Sequence, residues 1–193
     1  MLAIDDAELP AALAALPPPE QALAAAAPET RRRELIAGRT ALHLALALPD
    51  AIGADDRGAP IAPAGWVASV SHKASATGVL AAGLVAPEDG ARVGVDLEAA
   101  VAPRLDIARR VLTAREQAAL PDRGAAVTLR FAIKEAIYKA VDPYVRRYVG
   151  FTEVELDLAE DGTCRVTSGL GLTIDATWRE HAGHWLATAR ARR

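Results

Sequence analysis

The sequence predicts an α+β fold in which each half of the chain sets helices ahead of antiparallel strands. Three observations carry this. The first 48 residues are dense in alanine and leucine. Residues 66–98 hold three runs suited to extended backbone, and from Phe151 onward apolar and polar side chains alternate behind a long helical stretch.

At 193 residues and 51% hydrophobic content, the chain can bury a sizeable core, as one domain or as two small packed lobes. A formal net charge of -3 provides no basic field for duplex nucleic acid, so no nucleic-acid partner is expected and an anionic ligand must be met by a local cluster. Cys164 is the only cysteine, which removes disulfide frameworks within the chain and cysteine-rich zinc sites and points to the cytoplasm. Near the start, Asp5, Asp6 and Glu8 stand where a signal peptide would be basic and then apolar. The apolar runs at 41–48 and 78–86 are well short of the roughly 18 residues of a membrane span, so a soluble protein with no membrane partner is expected.

Taken in order, Pro17, Pro18, Pro19 and Pro28 divide the opening segment into short helices. Thr30 is read as the cap of a helix that reaches about Leu48, with a basic first turn of Arg31, Arg32 and Arg33 and an apolar face at Leu35, Ile36, Leu42 and Leu46. Gly58, Pro60, Pro63 and Gly65 mark 49–65 as a long ordered loop, a kind of segment that often carries function. Strands are expected at 66–71, 77–85 and 92–98, the last two separated by a turn of Pro87, Glu88, Asp89 and Gly90. A helical stretch from about 105 to 140 contains Thr113 and Glu116 at capping-box spacing and is interrupted by Pro121. The alternations Val154-Leu156-Leu158, Leu172-Ile174-Ala176 and Trp185-Ala187-Ala189 give antiparallel strands, with Glu160, Asp161 and Gly162 as one hairpin turn. His181 and His184 flank Gly183 and read as a polar hairpin turn rather than a metal pair. Both halves thus suggest one plan used twice.

Chemistry concentrates in two short stretches. In 92–98, the period of two sends Val93, Val95 and Leu97 to one strand face and Gly94, Asp96 and Glu98 to the other. Two carboxylates on one face repel unless a cation lies between them, and a hard divalent ion with oxygen preference meets that need. Alone, the pair also suits an ordinary polar strand face. In 131–139, Phe131, Glu135 and Lys139 form one helical stripe at intervals of four. Alone, Glu135 and Lys139 would be a surface ion pair worth about 0.3–0.5 kcal/mol. Arg31 and Arg39 are spaced to share a helix face and meet a phosphate together, and Ser71-His72 closes a strand.

In series, RRR-x(5)-R, Arg57-Gly58-Ala59-Pro60, Ser71-His72, Gly94-Val95-Asp96-Leu97-Glu98 and the stretch from Phe131 to Ala140 carrying Lys134-Glu135 and Tyr138-Lys139-Ala140 resemble the bacterial enterobactin-type (surfactin-type) 4′-phosphopantetheinyl transferases over about residues 30–158. Asp142-Pro143 and the run from Arg147 to Phe151 extend the likeness. Departures are Ala62 where tryptophan is frequent, Lys73 after the histidine, Phe131 in place of tryptophan and Ala136 in place of serine.

The resemblance implies an α/β pseudo-dimer of two similar lobes, each a small antiparallel sheet packed with helices, here 1–90 and 91–193. It implies that a serine of an apo acyl or peptidyl carrier protein attacks the β-phosphate of coenzyme A, the co-substrate, and releases adenosine 3′,5′-bisphosphate. Asp96, Glu98 and Glu135 would hold magnesium or manganese, Lys134 and Lys139 would screen the pyrophosphate, and Glu135 would take the serine proton, with Glu98 the second candidate. Arg31, Arg39 and Arg57 would grip phosphates of coenzyme A, with His72 beside Ser71 on the 3′-phosphate. Expected partners are carriers of siderophore, polyketide, nonribosomal peptide or fatty-acid assembly, served by a cytoplasmic monomer. A noncatalytic coenzyme A- or carrier-binding module is the alternative, and a magnesium-dependent nucleotide hydrolase the third reading.

Overall fold

The computed structural model describes residues 1–120 and 123–193 and divides into two compact units, Met1–Asp89 and Gly90–Arg193. In the first unit, strand β1 (Leu2–Asp5) precedes helices α1 (Leu9–Ala15), α2 (Pro18–Ala25) and α3 (Glu29–Leu46). A two-residue ladder of β2 (Gly53–Ala54) and β3 (Pro60–Ile61) follows, and then β4 (Trp66–Ala74) and β5 (Gly78–Pro87). The sheet runs β1-β5-β4, antiparallel throughout.

Helix α3 covers that sheet. Ile36, Ala37 and Ala41 pack with Ile4, Val79 and Ala81, while Leu42 and Leu46 pack with Ile52 beneath Trp66, Ala68 and Val70. The helix starts one residue before Thr30, because Pro28, at ψ 153°, stands outside it and its carbonyl takes the Arg32 N–H at 2.8 Å. Thr30 therefore lies inside the first turn and is not the cap. At the other end Ala47 turns left-handed at φ 55°. Pro49 disfavours a helical Leu48, so the helix stops short of the predicted end. The segment 49–65 is not wholly a loop, since Gly53 pairs with Ile61 and Ala54 with Pro60. Residues 2–5, within the predicted helical opening, pair with 78–81 as an edge strand.

In the second unit, β6 (Arg92–Ala99) leads to α4 (Ala108–Val111), α5 (Ala114–Ala119) and the long α6 (Gly124–Val145). After a 3-10 turn at Phe151–Glu153 come β7 (Val154–Leu158), β8 (Thr163–Ser168), β9 (Thr173–His181) and β10 (His184–Arg192). Their sheet runs β6-β10-β9-β8-β7. Ile133, Ala136, Ile137 and Ala140 of α6 are fully buried against Ala187, Ala189 and Ala191 of β10, with Val154, Leu156 and Ala176 completing the core. The Thr113-Glu116 capping box forms as its spacing predicts. Pro121, the predicted interruption, lies outside the described residues. Helix α6 continues past Ala140 because Pro143 falls in its last turn, where a missing N–H costs one intrahelical bond, and Arg146 ends it at φ 45°. At the β9-β10 turn, Ala182 and Gly183 are both left-handed and His181 faces His184 across the ladder.

Candidate functional site

The acidic strand is positioned from both sides. Strand β10 pairs residue by residue with β6, setting Ala187 opposite Asp96 and Trp185 opposite Glu98. Helix α6 lies directly on the other side at Gly94, where a Cβ would run into the Ala136 carbonyl oxygen. Gly94 is therefore needed for close approach of helix to strand. That approach carries Lys139 onto the strand, its Nζ donating at 2.8 Å to Asp96 Oδ1 and at 2.8 Å to the Val95 carbonyl oxygen. Asp96 is only 5% exposed, so its charge relies on such donors. Glu98 and Glu135 are half-buried. Glu135 stands one turn before Lys139 on the same face of α6. Among the described residues, no group of three or more His, Cys, Asp and Glu side chains is drawn together as a ready metal cage.

Lys134 does something different from Lys139. Its side chain is withdrawn from solvent and its Nζ donates at 2.6 Å to Glu116 Oε2 and at 2.8 Å to the Val111 carbonyl oxygen. Burial pulls this ammonium below its ordinary value, and the hydrogen bond and charge of Glu116 oppose that pull. Lys134 thus ties α6 to α5 and the end of α4, whereas the family resemblance implies a role for it on the pyrophosphate. The reason is angular: one residue before Glu135 on a helix is a rotation of about 100°, off the stripe of Glu135 and Lys139 and into the core. Glu116 serves three donors, since its Oε2 also takes the Thr113 N–H at 2.7 Å and its Oε1 takes the Leu156 N–H at 3.1 Å.

In the first unit, Arg31, Arg39 and His72 line one pocket together with Glu34, Gly58 and Pro60. Arg31 Nη1 lies 2.9 Å from His72 Nε2. A guanidinium only donates, so Nε2 is the acceptor in this contact, and Nδ1 faces Glu34 Oε1 at 3.5 Å. Arg39 is 5% exposed and donates from Nη2 to the Gly53 carbonyl oxygen at 2.7 Å. Burial lowers its guanidinium from the ordinary value, while Glu20 acts to raise it. Arg57 stands exposed at the turn between β2 and β3, where Asp55 Oδ1 accepts from the backbone N–H of Arg57 and of Ala59. Its neighbour Gly58 and then Pro60 line the pocket. Ser71 is buried on β4 and, by alternation along the strand, on the opposite sheet face from His72 and Val70. The Ser-His dipeptide therefore does not deliver both side chains to the pocket.

Three carboxylates that position these groups escaped the sequence reading. Glu116 was legible only as a cap. Glu34 stands three residues after Arg31, a spacing that signals an ion pair, and forms one at 3.3 Å. Glu20 is legible locally only as an acidic residue in the first turn of α2, because its partners His43 and Ile52 lie 23 and 32 residues away.

Known proteins resemble this chain across both units. A family model described as the 4′-phosphopantetheinyl transferase N-terminal domain matches residues 19–82, and one described as the 4′-phosphopantetheinyl transferase superfamily matches residues 92–190. The 4′-phosphopantetheinyl transferase Npt of Nocardia iowensis is 36% identical over 165 residues, which is 79% of this chain and 71% of that one. The 4′-phosphopantetheinyl transferase PptT of Mycobacterium tuberculosis is 33% identical over 161 residues, 76% of this chain and 67% of that one. Among solved structures, the Chronobacterium ammoniagenes ACPS-CoA complex overlaps 54% of this chain and 98% of its own, at 19% identity and a TM-score of 0.42.

Proposed function

The chain belongs to the 4′-phosphopantetheinyl transferase superfamily, and from that premise we propose that it moves the phosphopantetheine arm of coenzyme A onto a serine of an apo carrier protein. The observation that carries the proposal is the match of both units, in order, at 19–82 and 92–190. In this reaction the serine oxygen bonds to the β-phosphorus of coenzyme A. The bond from that phosphorus to the bridging oxygen breaks, and adenosine 3′,5′-bisphosphate leaves.

Asp96, Glu98 and Glu135 offer oxygen donors alone, the set a hard divalent ion takes, and the packing of α6 on β6 at Gly94 supports their joint use. We assign magnesium, or manganese, to them. When bound, the ion would supply positive charge for the pyrophosphate and its leaving oxygen. Lys139, which already neutralises Asp96 at 2.8 Å, adds a fixed cation beside these carboxylates. Glu135 takes the serine proton, with Glu98 as the second candidate. The pocket of Arg31, Arg39 and His72, with Arg57 on the adjoining turn, suits phosphate oxygens, and His72 is assigned the 3′-phosphate. Ser71 contributes through the strand that aims His72, and Lys134 through the packing of α6.

The carriers would be those of siderophore, polyketide, nonribosomal peptide or fatty-acid assembly, modified in the cytoplasm by a monomer. Both family segments on one chain support the monomer, and a buried lone cysteine suits a reducing compartment. Among the described residues, no helix is long and apolar enough to cross a membrane.

The test is intact mass spectrometry of several apo carriers incubated with the protein, coenzyme A and magnesium. A phosphopantetheine increment on a carrier is the expected result. Bound coenzyme A without any increment would mean a binding module instead, and phosphate release without a carrier would mean a hydrolase.

A further inference from the structure

Glu20 of α2 is a carboxylate with 2% exposure, and nothing in the reaction above uses it. Its Oε1 accepts from the Ile52 backbone N–H at 2.8 Å and faces His43 Nε2 at 2.8 Å. Its Oε2 lies 3.8 Å from Arg39 Nε, a pairing of charges beyond hydrogen-bond reach, and both of these atoms are buried with no hydrogen-bond partner. Burying a carboxylate is costly unless charge and donors compensate it. Two of the compensating groups, the Arg39 guanidinium and the Ile52 N–H, lead to one place. Arg39 lines the phosphate pocket and donates to the carbonyl of Gly53, the residue after Ile52. Gly53 begins the β2-β3 ladder, whose turn holds Arg57 and whose Gly58 and Pro60 form the pocket wall. A single carboxylate therefore fixes both an arginine on the pocket and the backbone that carries the pocket's opposite side.

We propose that Glu20 is the positioning residue of the phosphate pocket: it orients the Arg39 guanidinium and the start of the β2-β3 ladder for an anionic nucleotide, without touching that ligand. This rests on the coenzyme A reading of the pocket.

Calorimetric binding of adenosine 3′,5′-bisphosphate to the full chain tests it, alongside the steady-state kinetics of transfer. Glu20→Gln keeps the size and one acceptor but loses the charge, and is expected to raise Kd and the KM for coenzyme A about tenfold, with kcat at saturation within about twofold. Glu20→Asp keeps the charge, withdrawn by one methylene, and should fall between the wild type and Glu20→Gln. On an Arg39→Ala background, Glu20→Gln should cost little further affinity, because the two act through one another. Gln21→Ala removes the α2 contacts to the Ala14 and Leu16 carbonyls and serves as the control for general loosening of the helix. Wild-type affinity in Glu20→Gln, additivity with Arg39→Ala, or an equal affinity loss in Gln21→Ala at matched Tm would overturn the proposal. No binding by the wild-type protein would instead overturn the coenzyme A reading, and the proposal with it.

Discussion

Lys134 Nζ lies 2.6 Å from Glu116 Oε2, and both side chains are almost completely out of water. Removing one partner strands the other charge, which in buried pairs costs about 3–5 kcal/mol. Lys134→Met should therefore lower unfolding stability by about that amount in urea titrations, with transfer by the remaining folded protein reduced less than in Lys139→Ala. A larger loss of kcat in Lys134→Met, at unchanged stability, would return Lys134 to the pyrophosphate.

Glu135→Gln keeps the shape of α6 and removes a charge. Transfer should drop by about 10²–10⁴-fold, the usual worth of a placed general base, while circular dichroism and Tm stay at wild-type values. Chelation with EDTA should likewise stop the wild-type reaction and added magnesium restore it. Full turnover by Glu135→Gln would remove this residue from the chemistry.

Arg57→Ala changes an exposed side chain at a turn that its own backbone and Asp55 hold in place. Folding should be untouched. A lost charge-assisted bond to phosphate is worth about 1.5–3 kcal/mol, so the Kd for coenzyme A should rise about tenfold or more, with little effect on kcat.

Gly94→Ala is a small change at a crowded point. Its methyl would meet the Ala136 carbonyl, so helix and strand must part, and a cost of about 3 kcal/mol is expected from denaturant unfolding, together with loss of transfer. Gly90→Ala, at a position with φ 85° and no atom within 4 Å, should be strained locally without affecting transfer.

Glu153 offers a pH test. Two hydrogen bonds from Arg147 and one from the Gly150 N–H hold its carboxyl down at about 2. A depressed folded value means the contribution is complete above the ordinary value of about 4.5 and is lost as pH falls from there toward about 2. Arg147→Ala should move the Glu153 midpoint upward in a carboxyl NMR titration. Its stability deficit should be present at neutral pH, shrink across that window, and weaken with salt because the pair lies at the surface.

What could be read in advance followed the range of each interaction. The capping box of Thr113 and Glu116 spans three residues and the face shared by Asp96 and Glu98 spans two, so sequence alone carries them. The course of α6 through Pro143 depends on where the helix happens to end. The edge strand at 2–5 exists only because β5 accepts it, and the β2-β3 ladder only because its residues find each other across a turn. Lys134 and Lys139 look alike in the motif, yet their headings on the helix send one into a buried pair and the other to Asp96. Glu20 shows the limit most clearly, since its place in the first turn of α2 explains a carboxylate there without pointing to Arg39 or Ile52.

Strand β6 stands at the edge of its sheet, and among the described residues its one strand partner is β10, which begins at His184. During synthesis the ribosome therefore releases the acidic strand long before the segment that secures it. Pairing across so long a stretch of chain slows folding. A chain stalled before His184 would carry every proposed catalytic side chain but lack the strand that pairs with β6, so it is expected to make no product.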